Sequence, residues 1–510
     1  MNRIRETENG LVRGLPAADP RITSFKGIPF AAPPVGENRW RAPQPCNIWE
    51  GILDAYQFAP ISVQSTPGSG GNIYDREWHV DPDIAMDEDC LYLNIWSKAK
   101  TAAEKLPVYV WYFGGAYQWG YTAEMEFDGE RIARRNIVVV TVNYRLNVFG
   151  FLSHPELTKN QPEAPTNFGY LDQQAGLDWV IRNIARFGGD PNSITIGGQS
   201  AGGGSVLLQM ACPANRGKFK NAVIISGMIC SPYRDLFKLD AQPLDEAEKN
   251  GVEFLDFLGV KTIDEARKLD AKFVHSKYDQ YFVCHPWMRA VIDNHFCFGN
   301  SLKSFMENRG ADVNIMVGNT PDEFPHFITA SKEEAYRNEV KDLFGRRADE
   351  FLSFKEAWEK DADGNYAPVN GIEHTIKLAL EISEENGNSK NSYYYWFKPD
   401  IPGWDNPGAF HSVELWFFFE TLAKCWRPFK GYHYDLARQM CNYLCNFIKT
   451  GNPNGQDDDG TDLPLWESYQ KDHQTGMAFI SDGAKPLTID EGKFSKFIKS
   501  VLYHKIMDGV

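Results

Sequence analysis

The sequence predicts an α/β fold whose central, mostly parallel sheet is covered by helices on both faces. Three observations carry that prediction. Short apolar, β-branched runs alternate with helical patterns along the first half of the chain. Several of these runs are continuously apolar, as strands buried on both faces require. One of them leads through a glycine-rich turn straight into a helical pattern.

Val108–Phe113 is the first strand, Val-Tyr-Val-Trp-Tyr-Phe, and it stops at Gly114-Gly115. Ile137–Val142 is the second. Leu171–Arg186 is a helix because Leu171, Ala175, Leu177, Val180, Ile181 and Ile184 recur near the helical period. Ile194–Ile196 and Ala222–Ile225 are strands, with the helix-like run Val206–Met210 between them. Asn314–Val317 and Tyr393–Phe397 complete the set. Residues 235–300 and 330–390 are charged and helix-rich without strong strands, as in Asp245-Glu246-Ala247-Glu248-Lys249. No Pro/Gly/Ser linker isolates them, so they are expected as helical insertions above the sheet. Gly455-Gln456-Asp457-Asp458-Asp459-Gly460 reads as a solvated turn, and no internal repeat is present.

Composition removes several function classes. The chain has 510 residues with 53 Lys+Arg against 68 Asp+Glu, a net charge of −15. So acidic a balance argues against binding nucleic acid or an anionic membrane. No stretch approaches the ~20 apolar residues of a membrane span. The N-terminus lacks the apolar core of a signal peptide, and no glycosylation sequon occurs. Nine cysteines, odd and sparse, imply no disulfide framework. A cytoplasmic protein in a reducing, bacterial cell is the expectation.

The sharpest feature is Ser193-Ile194-Thr195-Ile196-Gly197-Gly198-Gln199-Ser200-Ala201-Gly202-Gly203-Gly204, a strand, a G-x-S-x-G pentapeptide and a helix start. A nucleophile elbow needs this composition because the serine sits on a strained turn and its neighbours two residues away must lack bulk. Ser200 is thereby presented close to unpaired helix N-terminal amides. With 43 glycines in the chain the pentapeptide alone is modest evidence, and a glycine-rich helix start is the bland alternative. The strand before it and the helix after it favour the elbow. A serine hydroxyl also needs a base, an orienter for that base, and donors for an oxyanion. In hydrolases built on such an elbow the acid and the histidine follow the serine. That excludes His79 and His154 and leaves nine of the 11 histidines, among which spacing cannot choose. Gly114-Gly115 offers donor amides, although an ordinary strand-ending turn would look the same.

The chain resembles the type-B carboxylesterases of the cholinesterase/para-nitrobenzyl esterase family, within the α/β-hydrolase fold. The matching segments run nearly end to end. They include Phe25-Lys26-Gly27-Ile28-Pro29-Phe30-Ala31-Ala32-Pro33-Pro34, Glu88-Asp89-Cys90-Leu91-Tyr92-Leu93-Asn94 and Asn143-Tyr144-Arg145. Phe187-Gly188-Gly189-Asp190-Pro191, Gly451-Asn452-Pro453 and Leu463-Pro464-Leu465-Trp466 belong to the same pattern. The resemblance implies one hydrolase domain over residues 1–510 rather than the roughly three that length alone suggests. It also implies the missing partners. Glu323, in Gly318-Asn319-Thr320-Pro321-Asp322-Glu323, becomes the orienting carboxylate; His411, in Gly408-Ala409-Phe410-His411-Ser412-Val413-Glu414, becomes the base. The implied oxyanion donors are the amides of Gly115, Ala116 and Ala201. The implied activity is ester hydrolysis through an acyl-enzyme, with a small-molecule ester as partner, no metal or organic cofactor, and a monomer or weak homo-oligomer. A non-catalytic cholinesterase-like binding module, or an amide, carbamate or lactone hydrolase with the same triad, are the alternatives.

The departures from the family pattern matter. Gln199 stands where cholinesterases carry a glutamate, so a choline head would lose a nearby charge. Phe113 replaces a frequent histidine, and Ala116 replaces a third glycine, its methyl narrowing the donor loop. Cys90 occupies a family disulfide position while its usual partner aligns near Ser62, so a free, buried Cys90 is expected. Tyr117, Trp119 and Gln199, with Trp287 and Met288 from the acyl-pocket segment, are candidate substrate-binding residues; Trp78 is a further aromatic at the entrance. Plain core packing is the alternative for each aromatic. Cys284-His285 with His295 and Cys297 invites a zinc reading but lacks paired ligand spacing. Arg39 with Glu88 and Arg145 with Asp172 are read as structural ion pairs, and Cys441 and Cys445 as core.

Overall fold

The computed structural model describes residues 3–233, 241–323, 330–360, 364–366, 371–489 and 491–509. Parts of the two expected insertions, at 235–240, 361–363 and 367–370, lie outside the described residues.

The apolar runs pair into one sheet. Its strands in chain order are β1 (Leu15–Pro16), β2 (Thr23–Pro29), β3 (Tyr92–Ser97), β4 (Leu106–Tyr112), β5 (Val138–Val142), β6 (Gly189–Gln199), β7 (Asn221–Ile225), β8 (Asn314–Asn319), β9 (Ser392–Lys398), β10 (Thr475–Ile480) and β11 (Gly483–Thr488). Their spatial order is β11-β10-β9-β8-β7-β6-β4-β5-β3-β2-β1. The middle of the sheet, β10 through β5, is parallel throughout. The antiparallel pairings lie at its two edges. A mostly parallel sheet was expected, and its α/β-hydrolase architecture follows from this order.

Continuous apolarity has a direct cause. On β4, Val108, Val110 and Tyr112 enter one core while Tyr109 and Trp111 enter the other. On β5, Val138, Val140 and Val142 face one side and Val139 the opposite one. Successive side chains of a strand point to opposite faces, so burial on both faces demands apolar residues at every position. Helices cover those faces. Those used below are α1 (Ile73–Glu77), α2 (Phe168–Asn183), α3 (Ala201–Ala211), α4 (Leu244–Leu258), α5 (Ala271–Tyr281) and α6 (Gly431–Thr450).

The observed bounds depart from the expected ones in places. β6 starts at Gly189, five residues before the expected Ile194, because Gly189 still pairs with Leu106. The helix expected over Leu171–Arg186 is α2, which begins one turn earlier and ends in a 3₁₀ turn, Ile184–Phe187. Segment 241–300 carries α4 and α5 and a two-residue strand pair, Gln242–Pro243 with Val291–Ile292. Arg39 and Glu88 pair at 2.5 Å and Arg145 and Asp172 at 2.7 Å, all four side chains nearly inaccessible. All nine cysteines are free, and Cys90 is fully buried.

The order of the strands places the site. After β4 the chain moves to β5 on one side and then returns to lay β6 on the other side of β4. Such a reversal opens a crevice at the carboxyl ends of the two strands. Gly114 follows β4 and Ser200 follows β6.

Candidate active site

Ser200 is held by the turn between β6 and α3. Its φ of +55° and ψ of −124° is a conformation that side-chain-bearing residues rarely adopt. The turn is clamped: Ser200 N–H donates to the Ile225 carbonyl at 2.9 Å and its carbonyl accepts from Gly204 at 2.9 Å. The flanking glycines are required sterically. A Cβ on Gly198 would lie 2.2 Å from the Gly202 carbonyl oxygen, and one on Gly202 would lie 2.1 Å from that of Tyr112. The strand-to-helix turn therefore packs directly onto the end of β4.

Gly115, Ala116 and Tyr117 take consecutive positive φ values of +107°, +54° and +63°. The Gly115 carbonyl accepts from Gln118 N at 2.9 Å and Trp119 N at 3.0 Å, closing a tight turn. Among the described residues no acceptor pairs with the amides of Gly115, Ala116 or Ala201. Ala116 thus keeps the loop shape at the cost of a left-handed alanine.

His411 and Glu323 come from the loops after β9 and β8. An isolated bridge between Asp322 and Phe410 sets the two loops side by side. Asp322 reinforces it, since its Oδ2 accepts from Ala409 N at 2.8 Å. His411 Nδ1 then pairs with Glu323 Oε2, and Glu323 Oε1 accepts from Thr320 N at 3.0 Å. The Gln199 amide nitrogen lies 3.1 Å from His411 Nε2 and donates to Ser412 Oγ at 2.7 Å. An amide donor facing Nε2 suits a ring with its proton on Nδ1 and its lone pair on Nε2.

Ser200, His411, Gln199, Gly115, Ala116 and Trp119 line one cavity of about 500 Å³. Glu323 stands behind His411, buried, and is not among the lining residues. Ala201 and Tyr117 instead line a second, small space of about 40 Å³ that also touches Ser200. Trp287 packs edge-on against Trp119, ring centres 5.4 Å apart. Met288 lies in the core beneath α4 and α5, lining neither space; its amide donates to the Tyr278 hydroxyl at 3.0 Å. The zinc reading finds no support in geometry: His285 stacks on Tyr281, and Cys297 Sγ donates to the Gly299 carbonyl.

Trp78, expected at the entrance, lines the cavity wall, and other lining residues escaped sequence reasoning: Tyr74 and Asp75 of α1, His79 after it, and Glu124 and Glu126. Burial pushes the Glu124 carboxyl up to about 7 and holds Glu126 well above the usual carboxylate range, with Glu124 adding to the effect. Burial also lowers His79 and so disfavours its cationic form, with Glu126 and Asp75 opposing. The available signal was Glu124-Met125-Glu126-Phe127, acids alternating with apolar residues just after the glycine loop. Near Glu323 and His411, Glu414 Oε1 accepts from Ser226 Oγ at 2.6 Å.

The sequence model of the carboxylesterase family matches residues 1–365 and 369–491. The chain is 34% identical to the fumonisin B1 esterase of Sphingopyxis macrogoltabida over 82% of its own length and 75% of that protein. It is 30% identical to the para-nitrobenzyl esterase of Bacillus subtilis (strain 168), covering 94% of this chain and 95% of that one. Mouse (Mus musculus) cholinesterase is also 30% identical, over 92% of this chain and 83% of its own. Among solved structures a thermophilic PNB esterase superposes with a TM-score of 0.78 at 26% identity, covering 98% of this chain and all of that one.

Proposed function

The chain belongs to the carboxylesterase family, and we propose that it cleaves carboxylic esters with Ser200 as nucleophile, His411 as general base and Glu323 as the carboxylate that orients the base. As a member of that family it is a carboxylic ester hydrolase. The observation that supports this residue assignment most is the shared cavity. Ser200 on its strained turn and His411, with Glu323 against Nδ1, open onto the same space.

In this reading His411 Nε2 takes the proton as Ser200 Oγ attacks the ester carbonyl. The amides of Gly115, Ala116 and Ala201 stabilise the oxyanion, and His411 returns the proton to the leaving alcohol. Water then cleaves the acyl-enzyme by the same route. Glu323 holds the ring in the tautomer with its proton on Nδ1 and its lone pair on Nε2, and its negative charge favours the imidazolium that forms. Nine free cysteines suit a reducing, cytoplasmic setting.

The test is a panel of nitrophenyl esters of increasing acyl length, run with and without a serine-directed phosphonate. Ser200→Ala is expected to lose turnover while keeping the wild-type unfolding profile. A burst of nitrophenol and phosphonate labelling at Ser200 are the expected signatures. Undiminished turnover in Ser200→Ala, or no labelling of Ser200, defeats the assignment; inert wild-type protein points to a non-catalytic binding module.

A further inference from the structure

We propose that Gln199 and Ser412 form a positioning pair for the catalytic base. The Gln199 amide bridges the nucleophile's turn to the histidine loop and reverses its hydrogen-bond polarity as His411 takes up a proton. The inference rests on the esterase reading above and adds two residues to its machinery.

Gln199 is the last residue of β6, one before Ser200, and Ser412 comes one after His411. All four are buried. The planar amide of Gln199 carries two N–H hydrogens, and each meets an acceptor: Ser412 Oγ at 2.7 Å and His411 Nε2 at 3.1 Å. Other bonds tie the histidine loop to residues that follow β7 and β8: Ala409 N to Asp322, His411 to Glu323, and Ser226 to Glu414. Gln199 reaches the loop from the nucleophile's own turn. The bridge therefore sets the two reacting residues relative to each other.

Ser412 is the costly half of the pair. Its φ of +81° lies in the left-handed region, which glycine enters freely and a serine only under strain. A glycine there would relieve the backbone and leave the Gln199 amide short of a partner. What the serine adds is a hydroxyl, which can both accept and donate.

That dual character matches what the base needs. With its proton on Nδ1, His411 offers a lone pair at Nε2, and the amide N–H faces it. Once Nε2 has taken the proton from Ser200 Oγ it is a donor too, and two donors would oppose each other. A half-turn of the amide puts Oε1 where the nitrogen stood. There it accepts from Nε2–H and from Ser412 Oγ–H together. The amide turns back when the proton passes to the leaving alcohol. An apolar side chain at 199 would serve neither state, and an ionised carboxylate, which only accepts, would serve one.

Two variants and their combination test this on nitrophenyl acetate. Gln199→Met keeps the length and removes both bonds; Ser412→Gly removes the partner and relaxes the backbone. Each should lower kcat about five- to ten-fold, with KM within about two-fold of wild type. The double variant should lose no more than the worse single one, because either change breaks the same bridge. Ser412→Gly should also melt within about 2 °C of wild type, which separates slower catalysis from a damaged fold. Wild-type kcat in Ser412→Gly, multiplied losses in the double variant, or losses confined to KM overturn the pairing. A readout without turnover uses Ser200→Ala with its glutamine amides isotopically labelled, the Gln199 signal being assigned by its absence from Gln199→Met. Its amide hydrogens should exchange at least about ten-fold more slowly than when Ser412→Gly is added. Such protection in a chain whose wild type hydrolyses no ester overturns the catalytic reading alone. An active wild type, with exchange in Ser200→Ala equal with and without Ser412→Gly, overturns the pairing alone.

Discussion

Glu414 shows how much one buried carboxyl can weigh. It is fully inaccessible, receives one hydrogen bond from Ser226 Oγ, and has no partner on Oε2 among the described residues. Burial first, then the nearby Glu323, pushes it from 4.5 up to about 7, with His411 opposing. The native state therefore keeps a proton that the unfolded chain releases near 4.5. Its contribution to stability is fully present below 4.5 and is lost as pH rises through about 7. Glu414→Gln removes the titration and keeps the amide's shape. The melting temperature of wild type relative to this variant should fall by about 2 °C between those two pH values. Parallel melting profiles across that window contradict the account. The same residue marks the limit of sequence reading. Ser200 announces itself because an elbow needs its glycines within two residues, and Glu323 and His411 sit in recognisable motifs. Glu414 lies three residues after His411 and Glu126 two after Glu124, but only the packing of distant segments brings Ser226 to Glu414 and His79 to Glu124.

At the scale of elements, the parallel strands were legible because double burial writes an unbroken apolar run. The outer strands β1, β2, β3 and β11 were not, nor was β10, the last of the parallel run. β2 contains Lys26, Gly27 and Pro29, and β11 has the exposed Lys485-Pro486, since an edge needs neither continuous apolarity nor every amide. Strand β3, though buried, is broken in pattern by Asn94, whose side-chain amide donates to Thr122 and Thr141. The contact of α3 with β4 is a second thing a pattern cannot display. Gly202→Ala would drive a methyl into the Tyr112 and Phe113 carbonyl oxygens, 2.1 and 2.7 Å from the Cβ position. Neither backbone can yield without moving Ser200 or the glycine loop. We expect a loss of about 2 kcal/mol in stability and a larger proportional fall in kcat than in binding. Gly431→Ala, at the start of α6 with nothing within 4 Å of its Cβ position, is the control and should be neutral or slightly stabilising. Equal effects of the two substitutions, read by urea denaturation, would refute the packing argument.

Across the whole molecule, the cavity wall and the histidine loop are tied through one buried arginine. Arg427 is inaccessible; it reaches Glu77 of α1 at 2.6 Å, Asp405 at 2.9 Å and the Pro402 carbonyl at 3.0 Å. Glu77 is itself inaccessible and is also held by Trp426 Nε1 at 3.1 Å and Cys425 Sγ at 3.3 Å. Residues 425–427 thus grip the end of α1, the element that presents Tyr74 and Asp75 to the cavity, while Trp78 just beyond it stacks on Phe410 beside His411. Breaking such a pair costs more than the pair is worth, because the surviving charge is left buried without its partner. Arg427→Ala should cost about 3–5 kcal/mol on that ground. The double variant Arg427→Met, Glu77→Gln removes the Arg427 and Glu77 charges at similar volume and leaves Asp405 to Arg76 at 3.6 Å, so it should recover most of the loss. If stability alone were at stake, activity would recover with it. The tie also fixes where α1 stands, so the double variant should regain its fold while its KM for bulky esters stays above wild type and its kcat on nitrophenyl acetate returns. Denaturation curves and steady-state kinetics on the same preparations decide it. A single variant losing less than about 1 kcal/mol, or a double variant as unstable as Arg427→Ala, would show that the buried charge does not govern the tie.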